Sequence, residues 1–240
     1  MRIIPFDSLE STNKYCEALD LAEVEDFTCY WALAQTAGIG QQGNHWEAEP
    51  GKNLTFSLVL HPTFLPADQQ FKLTEALSLG VVDFLKDLKD FKDLKVKWPN
   101  DIYVGGRKIC GTLVSTRLQG TTIASAVCGI GLNVNQVVFP DWVPNPTSLT
   151  ILTGKQYDLE PLLRQLLQCI KQRYGALQDG NDLEPEYLEH LLNLGVPARY
   201  RYNKEEIEAT ITGVDTYGRL LLTATDGRRL SCGMKEITLL

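Results

Sequence analysis

The segment KWPND, at residues 97–101, places a cation, an indole, an amide and a carboxylate side by side. Proline removes a backbone donor and is poorly tolerated inside a central strand. The segment is therefore predicted to end a strand and to present Lys97, Asn100 and Asp101 at the mouth of a sheet, where such groups can balance charge or move a proton. A simple turn that starts the next strand would explain the same residues, and both interpretations stay open.

Lys108 follows KWPND on a predicted hairpin. The run IYVGGRKICGTLVS indicates two strands that turn at Gly105 and Gly106, because glycine supplies the positive φ that a tight hairpin turn requires. The returning strand is then expected to bring Lys108 beside Asp101. The alternative is a solvated pair of Arg107 and Lys108 at a sheet edge.

A polar, glycine-rich segment, TAGIGQQGNHWEAEPGKN, separates predicted buried strands at 30–35 and 54–60. Long loops inside compact domains are usually functional or disordered, and glycine permits close approach of the backbone to a ligand. The segment neither follows a βαβ strand nor opens an obvious helix, which argues against a dinucleotide fingerprint, and the chain has no GxxxxGK[ST] phosphate loop. The glycine spacing alone is a weak signal.

Composition narrows the class of protein. The net charge of −7, from 23 basic and 30 acidic residues, provides no basic field for nucleic acid. The six cysteines are scattered without zinc spacing, and most stand in apolar runs typical of buried reduced thiols. No leader and no stretch of membrane-spanning length is visible, so the protein is expected in the cytoplasm, away from membranes.

Periodicity predicts two long amphipathic helices, one with apolar residues from Leu73 to Leu88 and one from Leu159 to Tyr174. A helix is also predicted to begin at Ser11 or Thr12, and a shorter one to cover about 185–194 with Gly195 as its C-cap. Beyond Gly195 the pattern changes to short alternating strands. The predicted division is a large domain at 1–194 and a small β-domain at 195–240.

Taken together, these segments resemble the biotin–protein ligase family. STN, the glycine-rich loop ending in Trp46, KWPND, RKxxGxL and GxGLNVN occur in that family's order through the first 135 residues, and the likeness continues into the C-terminal strands. KWPND followed by RKICGTL is the most specific part. The resemblance implies an α+β fold, with a mixed β-sheet flanked by helices as in class II aminoacyl-tRNA synthetases and a small C-terminal SH3-like β-barrel.

The resemblance also implies a reaction in two steps. The biotin carboxylate attacks the α-phosphate of ATP to give biotinyl-adenylate and pyrophosphate, and a lysine of a biotin carboxyl carrier domain then attacks the mixed anhydride. Such a reaction needs positioning and charge neutralisation. ATP, Mg²⁺ and the carrier domain are the implied partners, and a homodimer is compatible with the family.

Roles follow residue by residue from the same match. Lys97, Lys108 and Asp101 are expected to be catalytic, with Asp101 receiving or orienting the proton of the acceptor amine. The expected nucleotide residues are Trp46, Asn100 and Asn133. The expected biotin residues, which also include Lys108, are Ser11, Thr12, Gln35, Gly38, Ile39, Gly40, Gln41 and Gly111.

Two features depart from the family. Its loop usually reads GRGRxG, whereas Ile39 and Gln41 stand here in place of the arginines. Neither replaces a guanidinium, so slower turnover or leakier retention of the adenylate is predicted. Some relatives also carry an N-terminal winged helix-turn-helix; here STN is reached by residue 11, so neither a repressor role nor DNA binding is expected.

Three alternatives remain at this stage. A lipoate–protein ligase is the nearest, although KWPND and the C-terminal strands favour biotin. A non-catalytic protein that holds biotin or its adenylate would account for the missing arginines. A structural interaction domain would account for the C-terminal strands but not for the central motifs.

Overall fold

The computed structural model describes residues 1–240, apart from the side chain of Gln42. Its main body is a seven-stranded sheet in the order β1-β2-β3-β7-β6-β5-β4. The strands are β1 (Arg2–Leu9), β2 (Thr28–Gln35), β3 (Leu54–Leu60), β4 (Leu94–Lys97), β5 (Asp101–Val104), β6 (Arg107–Gln119) and β7 (Thr122–Leu132). Only β1 and β2 run parallel, so the sheet is mixed, as predicted.

Helices pack against this sheet and against each other. They are α1 (Thr12–Glu17), α2 (Phe71–Leu88), α3 (Leu149–Thr153), α4 (Leu159–Gln178) and α5 (Glu184–His190). The predicted apolar stripe of α2 is buried, and Gly80 allows close packing on α4, because a Cβ there would lie 2.7 Å from the Cα of Ile170. Among the described residues, no helix is long and apolar enough to cross a membrane.

The structure confirms the predicted start of the first helix and contradicts the predicted end of the last one. Ser11 caps α1, its hydroxyl accepting from the Lys14 amide at 3.5 Å, as its sequence context indicates. The prediction that Gly195 caps the last helix is wrong. α5 ends at His190, and Gly195 instead donates its amide to the Ile211 carbonyl, with φ of 71° in a turn that leads into the C-terminal strands.

The C-terminal part is a five-stranded antiparallel sheet in the order β11-β10-β9-β8-β12. Its strands are β8 (Pro197–Tyr202), β9 (Glu205–Val214), β10 (Leu220–Ala224), β11 (Arg229–Cys232) and β12 (Ile237–Leu239). In the described chain the edge strands β11 and β12 do not pair, so the sheet is not a hydrogen-bonded closed barrel. The domain division at 194/195 stays a prediction.

The two sheets meet next to KWPND. The Trp98 indole donates to the Gly218 carbonyl at 3.0 Å, and Gly218 packs on Phe71, where a Cβ would lie 2.3 Å from the ring. All six cysteines are buried free thiols, as predicted from their apolar surroundings.

Candidate functional site

One row of residues crosses the main sheet and forms the floor of the site. Thr55, Gly131, Gly111, Asp101 and Lys97 are directly opposed on β3, β7, β6, β5 and β4. Directly opposed residues share a face of the sheet, and neighbouring strands lie about 4.8 Å apart. The two glycines in the middle therefore leave a depression between the polar side chains.

The depression is covered by the glycine-rich loop and encloses a cavity of about 150 Å³, here called the inner cavity. Most residues expected at the site line it: Ser11, Gln35, Ile39, Gly40, Gln41, Trp46, Asn100, Asp101, Lys108 and Gly111. Others that line it were not expected: Asn13, Asn44, His45, Thr55, Thr112, Leu113, Gly129, Ile130 and Gly131.

Lys108 and Asp101 form an ion pair in this cavity, with 2.7 Å between Nζ and the carboxylate. Their side chains are 27% and 25% exposed, so a molecule in the cavity can reach both. Lys108 is paired in register with Tyr103, and an irregularity at Ile102 and Tyr103 shifts the hairpin, which agrees with the predicted approach of Lys108 to Asp101.

Two weakly acidic side chains near Asp101, the Tyr103 phenol and the Cys110 thiol, are not available as a base or a nucleophile. Burial, followed by the charge of Asp101, raises the pKa of Tyr103 to about 12. The same causes raise the pKa of the Cys110 thiol far above its ordinary value. Both side chains therefore stay protonated near neutral pH. Asp101 is the one carboxylate among the described residues that line the inner cavity.

At the opposite end of the cavity, a hydrogen-bond network fixes the Gln35 amide. The Thr12 amide and hydroxyl donate to Gln35 Oε1 at 2.7 and 3.1 Å, and the Ser57 hydroxyl lies 2.8 Å from the Thr12 hydroxyl. Thr12 thus lies beneath the cavity and does not line it, contrary to the expected direct contact. With its oxygen engaged, Gln35 presents its amide nitrogen.

Asn13 is a polar group that sequence reasoning missed. It is buried, its Oδ1 lies 2.5 Å from the Ser57 hydroxyl, and its Nδ2 has no partner among the described atoms. A Cβ at Gly129 would lie 2.1 Å from Asn13 Oδ1, so this glycine makes room for the amide. The motifs STN and GxG, which contain these two residues, were both visible in the sequence.

Trp46 forms a wall of the cavity. A Cβ at Gly131 would lie 2.2 Å from its ring, and the ring centroid is 5.6 Å from Lys108 Nζ. Gly38 was expected to approach a ligand. Instead it closes the loop: its carbonyl accepts from the Trp46 amide at 3.0 Å, and a Cβ there would lie 2.5 Å from the Trp46 carbonyl oxygen.

A second, larger cavity of about 420 Å³ lies on the other side of Trp46 and is here called the outer cavity. Asn133 lines it; its Nδ2 donates to the Thr147 carbonyl at 3.0 Å, and its buried Oδ1 has no described partner. The remaining lining is largely apolar and comes from a loop without a recognisable motif: Phe139, Trp142, Val143, Pro144 and Pro146. Four residues line both cavities: Asn44, His45, Trp46 and Lys108.

Lys97 does not line either of these cavities, contrary to the expectation that both lysines share one pocket. It lines a separate cavity of about 180 Å³ against the C-terminal sheet, with its ammonium 5.4 Å from the Tyr103 ring centroid. The reason is its position in the sheet: Lys97 is in register with Asp101 but stands on the edge strand β4, one strand farther from the cavity. Asn100 lines the inner cavity, and its amide donates to the Thr112 carbonyl, which ties the turn to β6.

Among the described residues there is no group of three His, Cys, Asp or Glu side chains that could hold a metal. Mg²⁺ usually takes one or two carboxylates together with substrate phosphates.

Comparison with known proteins agrees with this geometry. Residues 5–133 match the model of the biotin/lipoate A/B protein ligase family. The chain is 32% identical over 234 residues to the biotin–[acetyl-CoA-carboxylase] ligase of Paracoccus denitrificans, covering 92% of this chain and 94% of that protein. It is 29% identical over 230 residues to the bifunctional ligase/repressor BirA of Bacillus subtilis, covering 94% of this chain and 70% of that one.

A solved structure, biotin protein ligase from Aquifex aeolicus in complex with biotin and ATP, superposes with a TM-score of 0.82 at 25% identity and covers 100% of this chain and 98% of that one. The family match spans more than half of the chain, and the Paracoccus protein is matched over nearly its whole length. The chain belongs to the biotin/lipoate A/B protein ligase family.

Proposed function

We propose that this protein is a biotin–protein ligase, which forms biotinyl-adenylate from biotin and ATP and transfers biotin to a lysine of an acceptor protein. One observation carries the proposal: a polar inner cavity and a larger outer cavity meet at Lys108. A small acid in the first and a nucleotide in the second bring a carboxylate and an α-phosphate together at that lysine.

The inner cavity suits the ureido head group of biotin, which offers both donors and acceptors. Asn13 Nδ2 has no described partner, Gln35 lines the cavity while its oxygen accepts from Thr12, and the Ser11 hydroxyl can donate or accept. An apolar wall at Ile39 and Ile130 matches the rest of a small organic acid.

In the first step, the carboxylate oxygen attacks the α-phosphorus and the bond to the bridging oxygen of pyrophosphate breaks. The carboxylate is already a nucleophile, so the protein has to orient the reactants and offset negative charge. Lys108 Nζ is placed to do this from the junction. Mg²⁺ bound to the phosphates would offset further charge.

In the second step, the amine of the acceptor lysine attacks the carbonyl of the mixed anhydride, and AMP leaves. An ammonium must lose a proton before it can attack, and Asp101 is the carboxylate that lines the inner cavity. Lys97 lines the separate cavity against the C-terminal sheet, so it is proposed only to offset negative charge near the entrance of the site. The acceptor is proposed to be a biotin carboxyl carrier domain, which the name of the Paracoccus relative supports.

The test is incubation with ATP, Mg²⁺, biotin and a carrier domain, with the mass of the carrier as readout. One biotinyl addition per carrier, absent without ATP or after replacement of the target lysine, is the expected result. A parallel reaction with lipoic acid addresses the nearest alternative, since the family includes lipoate ligases. Lipoylation without biotinylation would overturn the proposal.

A non-catalytic biotin-binding relative is the second candidate, because Ile39 and Gln41 stand where the family usually has arginines. Pyrophosphate release with biotin and ATP alone separates the two. Binding of biotin without any pyrophosphate would favour the non-catalytic protein.

A further inference from the structure

The junction between the two cavities is where the reacting groups must meet if the proposed function holds. Its four residues, Asn44, His45, Trp46 and Lys108, line both cavities. The first step takes place between an acid on one side and a nucleotide on the other. The charges at this junction therefore act on the α-phosphate and on the departing pyrophosphate.

Positive charge is scarce here. Of the described residues that line either cavity, Lys108 and His45 are the two that can carry it. Lys108 is already paired with Asp101 at 2.7 Å, and Glu47 adds a negative charge to the outer cavity. A triphosphate is a polyanion, so a second cation at this point would matter.

His45 is held in a defined place by its backbone. It forms an isolated antiparallel bridge with Ile39, and the neighbouring bonds from Gly40 N to Asn44 O (2.6 Å) and from Trp46 N to Gly38 O (3.0 Å) close the loop around it. Within the described structure, its exposed side chain makes no hydrogen bond or ion pair. The imidazole is therefore available to a ligand.

We propose that His45 binds the phosphates of the nucleotide at this junction and, as an imidazolium, offsets the charge that passes to pyrophosphate. The carboxylate oxygen forms its bond to the α-phosphorus, the bond to the bridging oxygen breaks, and that electron pair leaves with pyrophosphate. The ring N–H donates to a phosphate oxygen and no proton is transferred. This role rests on the proposed ligase function.

The charged groups that surround the ring are few. Lys108 and Asp101 face it from the sheet, and Glu47 comes from its own loop, while the apolar loop across the outer cavity contributes no charged lining residue. An imidazolium binds a phosphate oxygen more strongly than a neutral imidazole does, because its hydrogen bond is then charge-assisted. The benefit of His45 should therefore grow toward lower pH.

The test measures pyrophosphate release against ATP concentration from pH 5.5 to 8 for wild type, His45→Gln, His45→Arg and Lys52→Gln. Lys52 is a cation of the same segment that lines neither cavity, so Lys52→Gln is the matched control. At each pH, kcat/KM for ATP is compared as the ratio of wild type to His45→Gln, because the effect of the ionisation of ATP itself cancels in that ratio. The dissociation constant for biotin without ATP is measured in parallel.

We expect His45→Gln to lower kcat/KM for ATP about tenfold at pH 5.5 and about threefold at pH 8, which corresponds to the loss of one hydrogen bond at a solvated site. His45→Arg should keep the wild-type value at low pH and exceed it at pH 8, with biotin affinity unchanged in all variants. A ratio that does not vary with pH, a ratio equal to that of Lys52→Gln, or weakened biotin binding would overturn the role. A wild type that releases no pyrophosphate would overturn the proposed function itself.

Discussion

The inner and outer cavities are formed by different parts of the fold. The inner cavity rests on β3, β6 and β7, and its polar groups are tied to one another, as the Thr12–Gln35 and Ser57–Asn13 bonds show. The outer cavity is walled mainly by loops, and its apolar residues remain open to solvent, with Trp142 60% exposed.

Sites on strands hold their geometry more closely than sites on loops. We therefore expect the inner cavity to keep its geometry more closely than the outer one, whose exposed side chains would lose freedom on binding a ligand, at a cost in binding free energy. Substitutions away from the junction should accordingly affect the binding of biotin and of ATP separately.

Substitution of Lys108 tests the junction and should have the largest effect. Lys108→Gln removes the ammonium that lines both cavities, and loss of one preorganised donor lowers kcat by about 10² to 10³. Pyrophosphate release under saturating biotin and ATP measures it. Arg107→Gln, an exposed cation on the preceding position, is the control, and equal losses in both variants would contradict the assignment.

Ile39→Arg sharpens the description of the inner cavity by adding charge to its cover. One charged hydrogen bond contributes about 1.5–3 kcal/mol, so release of the adenylate should slow about ten- to a hundredfold. The half-life of the enzyme-bound adenylate is the measurement. Ile39→Leu keeps the apolar character and should release at the wild-type rate; unchanged release in Ile39→Arg would show that the missing arginines have no effect.

Gln35→Leu breaks the network at the biotin end. The Thr12 amide loses its acceptor, which lowers the stability of the fold. The variant also lacks the side-chain amide that is proposed to hydrogen-bond biotin, and one such bond contributes about 0.5–1.5 kcal/mol. Biotin affinity should therefore fall up to about tenfold while the KM for ATP stays constant. Calorimetric titration with biotin measures the change. Gln119→Leu, on the exposed end of β6, is the control. A parallel rise in the KM for ATP would argue against separate cavities.

Trp142→Ala should have the smallest effect, confined to the outer cavity. Stacking of a base on an aromatic ring contributes about 1–3 kcal/mol, and the lower end applies to an exposed ring, so the KM for ATP should rise about fivefold. Val138→Ala, in the same loop but outside the cavity lining, is the comparison. Weaker biotin binding in Trp142→Ala would contradict the division.

The motifs in the sequence predicted the sheet, the two long helices and the Lys108–Asp101 pair, because hairpin register follows from the turn glycines and the alternation of side chains. The motifs did not distinguish residues that line the cavity from residues that hold the lining residues in place. Thr12 and Gly38 belong to the right motifs, yet one hydrogen-bonds beneath Gln35 and the other closes the loop. Burial of this kind depends on packing between distant segments.

Lys97 was misplaced for a related reason. Its proximity to Asp101 along the chain is real, but the number of strands between it and Trp46 could be read only from the sheet order. The contacts of Asn13 with Gly129 and of Trp46 with Gly131 could have been predicted, since GxG on one buried strand puts both glycines on one face. The loop that lines the outer cavity has no recognisable motif, so its position beside Trp46 could not be predicted from the sequence.

The position of Trp46 ties the two substrates together. One indole forms a wall of both cavities, so whatever fixes its orientation for one ligand changes the surface offered to the other. Linkage requires that any such influence be mutual: if biotin tightens the hold on ATP by some factor, ATP tightens the hold on biotin by the same factor. A single ring between the two proposed binding sites is expected to make the affinities for biotin and ATP interdependent, and a change at Gly131 or Gly111, on which that ring rests, would then alter both at once.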